Sequence, residues 1–179
     1  MKDLVLPFTL FLLFFGHAQS GRNVEKGLFK LNALLPGASY ELGVANNISL
    51  NFDVFLAPFV EENFFGEEQF GILPGLQAEF RHFTSFKRRR ARGKNLSGNS
   101  SDYVGVVNQF YSGNALIGNL ERASSFYNAT GIVYGIQRTA PRGFYWNLSF
   151  GPAILIDEFD TGSGIFIDAK LGWVIRKRK

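Results

Sequence analysis

The chain contains no cysteine, which removes disulfide frameworks, thiolate metal sites and thiol nucleophiles from consideration and leaves the redox compartment open. Histidine is nearly as scarce. His17 and His82 are the only two, and His17 falls in the N-terminal segment read below as removed on export, which leaves His82 as the one imidazole of the mature chain. Methionine occurs once and tryptophan twice, and stretches with helix-building composition are few. No apolar run after the N-terminal one is long enough to cross a bilayer as a helix, so this chain can enter a membrane only with strands.

What is abundant points the same way. Twenty Phe and twenty Gly stand in 179 residues that are 46% hydrophobic and 16% aromatic, a composition of a folded chain rather than a disordered one. Aromatics pack well on pleated surfaces and glycine weakens helices, so β-structure is expected. At the N-terminus, Lys2 precedes the apolar run "LVLPFTLFLLFF" from Leu4 to Phe15, followed by "GHAQS" with small residues suited to a peptidase. This is the pattern of a secretory signal peptide over residues 1–20, cut after Ala18 or after Ser20. A membrane anchor would need about 18 apolar residues, more than the run supplies. Residues 21–179 then form one domain.

That domain alternates. From Gly27 to Leu35, Phe29, Leu31, Ala33 and Leu35 share one face against Lys30 and Asn32, the period-two signature of a strand. Pro36 and Gly37 turn the chain. Tyr40, Leu42 and Val44 alternate with Ser39, Glu41 and Gly43, "ANN" makes the next turn, and Ile48 to Leu56 oppose Ser49, Asn51 and Asp53 up to Pro58. An acidic loop "EENFFGEEQF" follows, then a fourth strand with Leu76, Ala78 and Phe80 against Gln77, Glu79 and Arg81. A fifth runs from Asp102 to Tyr111 with its phase undefined, and "SGNALIGNLERAS" reads as a polar loop. The sixth, Phe126 to Arg138, the seventh from Phe144 to Gly151, and the eighth, in which Ile165, Ile167, Ala169, Leu171, Trp173 and Ile175 make one unbroken face, complete the series.

Eight strands of about nine to eleven residues match the length a tilted strand needs to cross a bilayer. A soluble sandwich is the alternative. The polar faces separate the two. Beside Gly and Ser they carry Lys30, Glu41, Asp53, Glu79, Arg81, Asp168 and Lys170, three cations against four anions that would satisfy one another inside a narrow lumen. On a soluble sheet the same seven would be unrelated solvent-facing charges.

Charge also sorts by strand parity. Lys87, Arg88, Arg89, Arg90, Arg92 and Lys94 follow the fourth strand, Arg138 and Arg142 flank the connection after the sixth, and the chain ends in "RKRK". Glu61, Glu62, Glu67 and Glu68 follow the third strand, and Asp157, Glu158 and Asp160 the seventh. One rim is therefore basic and the other acidic, with the basic rim on the side of the mature N-terminus, the periplasmic side of an exported barrel. Phe29, Phe86, Phe144, Trp146 and Trp173 fall near the basic ends of their strands, and Tyr40, Phe59, Phe70 and Phe126 near the acidic ends, as two aromatic girdles require. The basic tract is expected as a solvated turn, with attraction to anionic headgroups, a polymer or a partner as the alternative. A nucleic-acid patch or nuclear signal does not suit an exported chain.

With its signal peptide, the alternating "YELGVANNISLNFDV" and "GFYWNLSFGPAILI", and the final "IFIDAKLGWVI", the chain resembles the small outer-membrane β-barrel proteins of Gram-negative bacteria, the eight-stranded OmpA/OmpX-like class. The resemblance implies an all-β fold, an eight-stranded antiparallel up-and-down transmembrane β-barrel, present as a monomer in the outer membrane. It implies contact with outer-membrane lipid and lipopolysaccharide, insertion by the barrel-assembly machinery, and no cofactor. Such barrels commonly end on an aromatic residue, whereas this chain runs on from Trp173 to "VIRKRK".

Catalysis finds little footing. Some eight-stranded outer-membrane barrels modify lipid A with a serine, a histidine base and an acid. Here His82 with Ser85 lacks the acid, and an interfacial histidine is the plainer reading. "SGNSSDYVG" and "YSGNALIGN" lack the Lys and helix start of a phosphate loop and read as turns. The acidic segments have no regular calcium-ligand spacing. The Asn-x-Ser/Thr sites at Asn47, Asn95, Asn99, Asn128 and Asn147 are incidental in a bacterial chain. No metal site, no catalytic residue and no nucleic-acid partner is expected. The function expected is structural or a binding and adhesion surface with a non-conducting lumen; the alternative is a soluble periplasmic or secreted β-barrel that holds an apolar ligand.

Overall fold

Period-two alternation broken by Gly, Pro and Asn builds an all-β antiparallel sheet. The computed structural model describes residues 23–62 and 66–178; the expected signal peptide over residues 1–20 lies outside them. In chain order the elements are β1 (Gly27–Asn32), β2 (Gly37–Ala45), β3 (Ile48–Glu62), β4 (Glu68–Phe83), α1 (Phe86–Ala91), β5 (Ser101–Asn114), β6 (Ile117–Gly118), β7 (Glu121–Thr139), β8 (Phe144–Asp157) and β9 (Thr161–Arg178). Eight of the strands form a ring. Each pairs with the next, β5 with β7, and β9 returns to β1, where Gly27 faces Arg178 and Asn32 faces Gly172. The two-residue β6 lies outside the ring, paired with β4 at Gly71 and Ile72. The ring closes through the β1–β9 ladder, while β3 beyond Phe55 and β9 before Gly172 each carry a ladder on one side only.

Residue parity then divides inside from outside. Phe52, Val54, Leu76, Phe80, Leu148, Phe150, Ile165, Ile167 and Trp173 are exposed on the outer surface, while the buried set contains more polar and charged residues than apolar ones. This inverts the usual arrangement of a water-soluble domain. The fifth strand's phase is settled: Tyr103, Val107 and Gln109 point inward, Val104, Val106 and Phe110 outward. Amid the outer surface Asn108, Asn128 and Thr130 bond to one another, Asn108 Nδ2 donating to Asn128 Oδ1 at 3.0 Å and to Thr130 Oγ1 at 2.7 Å.

Several expectations are corrected. β3 does not stop near Pro58 but continues to Glu62, and β4 begins at Glu68, so both ends of the acidic segment are strand. Proline is tolerated because the β2 ladder has already ended at Phe55, and Pro74 likewise falls between the β6 and β5 ladders; no backbone donor is missed there. Pro152 sits where the β7–β8 ladder skips Ile132 and Val133. The polar loop after β5 contains β6, and β7 starts at Glu121 rather than near Phe126. The first strand ends at Asn32, not Leu35.

The basic tract is not a simple solvated turn. Its first residues form α1, whose Phe86 is 1% exposed and packs on Phe83 at a centroid distance of 5.1 Å, with Val24 in the same cluster. Phe86 therefore leaves the expected girdle. Phe59 leaves it too, because β3 parity turns its ring toward Tyr111, with centroids 5.6 Å apart.

Candidate functional site

Strand register brings the cations to one end of the ring. The ends of β4 and β7, the starts of β1, β5 and β8, and the end of β9 lie together there, with α1 and its Lys87, Arg88, Arg89 and Arg90, followed by Arg92 and Lys94. At the opposite end Glu61 faces Gln69, Glu62 faces Glu68, and Tyr127 faces Asp157 beside Glu158 and Asp160.

Between the ends, Lys30, Glu41, Asp53, Glu79, Arg81, Asp168 and Lys170 are all buried. Glu41 is a hub. Lys30 Nζ donates to its Oε2 at 2.7 Å and Gln137 Nε2 at 3.1 Å, while Ser49 Oγ and Asn99 Nδ2 donate to Oε1 at 2.8 and 2.7 Å. Arg81 clasps Glu79 through Nε at 2.9 Å and NH2 at 2.5 Å and reaches Gln137 through NH1 at 3.0 Å. Its guanidinium lies 4.8 Å from the centre of the Tyr103 ring. A second knot joins Lys170 to Asp53 at 2.8 Å and to Asp168 at 3.1 Å, with Ser39 and Asn51 also donating to Asp53. Gln109 and Gln77 extend it, Gln77 Nε2 donating to Asp168 Oδ2 at 3.4 Å. Buried charges persist only when paired and hydrogen-bonded, and these are. The network fills the interior with side chains, as expected for a ring of eight strands.

The basic end is closed by chain. Gly98 and Asn99 both have positive φ, +63° and +55°, and reverse the segment after α1 into the ring. Asparagine tolerates that region better than most residues. Asn99, wholly buried, donates to Glu41 and accepts from the Glu25 backbone N–H at 2.8 Å, while Gln137 donates to the Gly98 carbonyl at 2.9 Å. Sequence reasoning took this stretch for a turn. Nothing local in "SGNSS" marks Asn99, whose partners Glu41 and Glu25 both lie far off in sequence.

The acidic end is open. A cavity of about 480 Å³ is lined by Phe59, Tyr111, Tyr127 and Phe166, by the outer-face Leu155, Ile165 and Ile167, and by the polar Arg122, Asp157 and Asp160. Arg122 lies between two rings, 4.4 Å from the centre of Phe59 and 4.6 Å from that of Tyr127, and pairs with Glu61. It was missed from sequence because it was assigned to a loop. Glu158 accepts from the Ser125 backbone N–H at 3.1 Å and hydroxyl at 2.9 Å, and these bonds hold its carboxyl below the usual range.

His82 is exposed near the end of β4, on the outer face, whereas Ser85 is buried and shares its hydroxyl with Ser101 at 2.9 Å and with the Asp102 N–H at 2.8 Å. The two are not brought together as nucleophile and base. Among the described residues no group of three or more His, Asp or Glu could hold a metal. No family model, curated protein or solved structure matches the chain.

Proposed function

We propose that the chain is an exported outer-membrane β-barrel protein of the eight-stranded kind, held among lipid and lipopolysaccharide as a monomer, with a plugged interior and a structural or surface-binding role. One observation carries the reading. The outer surface displays a belt of large apolar side chains, Val54 and Ile132 at 60% exposure among them, interrupted by Asn108, Asn128 and Thr130, while seven ionisable residues are buried within. Soluble monomers rarely expose apolar patches beyond a few hundred Å², and hydrocarbon is the solvent that makes such a belt favourable. The acidic end then faces outward with its aromatic-lined cavity as the binding surface, and the basic end faces the periplasm.

The same cavity favours a second reading, a soluble barrel holding an apolar ligand. The belt argues against it, since nothing in water would cover those side chains. Sodium carbonate extraction and a heat-modifiability gel separate the two. A membrane barrel stays in the carbonate-washed pellet and migrates differently unboiled and boiled; release into the carbonate supernatant supports the soluble reading.

A further inference from the structure

At the basic end a second, smaller cavity of about 90 Å³ is walled entirely by charged side chains: Arg88, Arg89, Arg92, Lys94, Asp102 and Arg138. Five are cations and one is an anion. Asp102 is shared between two of them, accepting from Arg88 NH2 at 2.8 Å and from Arg138 NH2 at 2.5 Å, so its single charge leaves a large positive surplus. Arg89 sits among them with NH2 donating to the Asn95 carbonyl at 2.9 Å, while its Nε is buried without a hydrogen-bond partner. A buried donor left without a partner is costly, and more so when charged.

Arg88, Arg92 and Lys94 are exposed, but the backbone that carries the cavity is anchored. α1 is anchored by Phe86 in the apolar cluster at the ring's end. Asn95 is tied to β7 by donating to the Thr139 carbonyl at 2.6 Å, and Asp102 is held through its N–H by Ser85. Partial desolvation, joined by the nearby Arg138 and Arg88 and opposed by Asp102, pushes the Arg89 guanidinium below its ordinary range. What completes such a set is a compact anion with several acceptor oxygens. Guanidinium forks match phosphate oxygens two at a time, and a doubly charged phosphomonoester offsets more of the surplus than a carboxylate does.

We infer that this cavity binds a phosphate group, supplied either by a lipid headgroup or by free phosphate. The inference goes beyond the surface-binding role, since it concerns the opposite end of the molecule and needs only the folded ring.

The test is calorimetric titration of the full mature chain, refolded in an uncharged detergent, with inorganic phosphate and with dihexanoylphosphatidic acid. The site predicts one equivalent bound per chain, weakened about tenfold or more in the double variant Arg92→Gln/Lys94→Gln and unchanged in Lys87→Gln, which lies on α1 but outside the cavity. Equal affinity for the two probes assigns free phosphate as sufficient; clearly tighter phosphatidic acid assigns a headgroup. Binding of neither probe overturns the inference, as does equal loss in Lys87→Gln, which would reduce the effect to general charge. Heat-modifiable migration of each variant reports folding separately.

Discussion

Lys30 on β1 and Glu41 on β2 meet 2.7 Å apart inside the ring, and neither has more than 2% of its side chain exposed. Register alone does not align them, since Lys30 faces Ser39 and Glu41 faces Leu28; the long side chains lean along the strands to meet. Glu41 then also stands 3.7 Å from Arg81. Removing the Glu41 charge leaves two buried cations short of a partner. Glu41→Gln is expected to lower the unfolding free energy in detergent by about 3–5 kcal/mol, as breaking buried pairs does. Lys87→Gln on exposed α1 should stay within about 0.5 kcal/mol. Urea titration followed by tryptophan emission checks both.

Gly135 is required by its neighbour rather than by its backbone angles. A Cβ there would lie 2.1 Å from the Tyr103 ring, the ring on which Arg81 rests. Gly135→Ala is expected to cost about 1–3 kcal/mol by overpacking. Gly162→Ala, where an added Cβ meets nothing within 4 Å, should be near neutral in the same titration.

Phe86 ties α1 to the ring. Phe86→Ala should cost about 3–5 kcal/mol if the whole ring senses the loss. The local effect is easier to read. Limited trypsin digestion should cut after Arg88 to Arg92 faster in the variant than in the parent protein, because the tract is no longer docked.

Glu158 gives a pH prediction with a defined sign. Ser125 hydrogen bonds favour its ionised form and depress its pKa. The stabilisation they provide is fully present above the unfolded carboxyl value of about 4.3 and is lost as pH falls through the lower folded value. Ser125→Ala should move the Glu158 carboxyl titration upward in an NMR experiment, while other exposed carboxylates stay in place.

Strand faces were legible because period two writes them directly into the chain: the seven inward charges and the outward Leu148 and Ile167 follow from alternation alone. Their pairing was not. Lys170 meets Asp53 across 117 positions of sequence only because β9 closes onto β1. Helix α1, six residues long, is too short to show a 3.6-residue period, so Phe86 was read with the wrong element. Arg122 was hidden because β7 extends back through a segment rich in turn residues, held there by β5 pairing Asn114 with Glu121. Asn99 was invisible because its partner, Glu41, lies 58 positions away. Local alternation shows in a single sequence, whereas non-local partners do not.

The outer surface carries the central claim, and nitroxide labels at Leu148 and Ile167 test it in protein reconstituted into lipid. The account predicts strong relaxation by oxygen and protection from a water-soluble nickel chelate, with a label at Lys87 showing the reverse. Chelate access at Leu148 and Ile167 equal to that at Lys87 would contradict it.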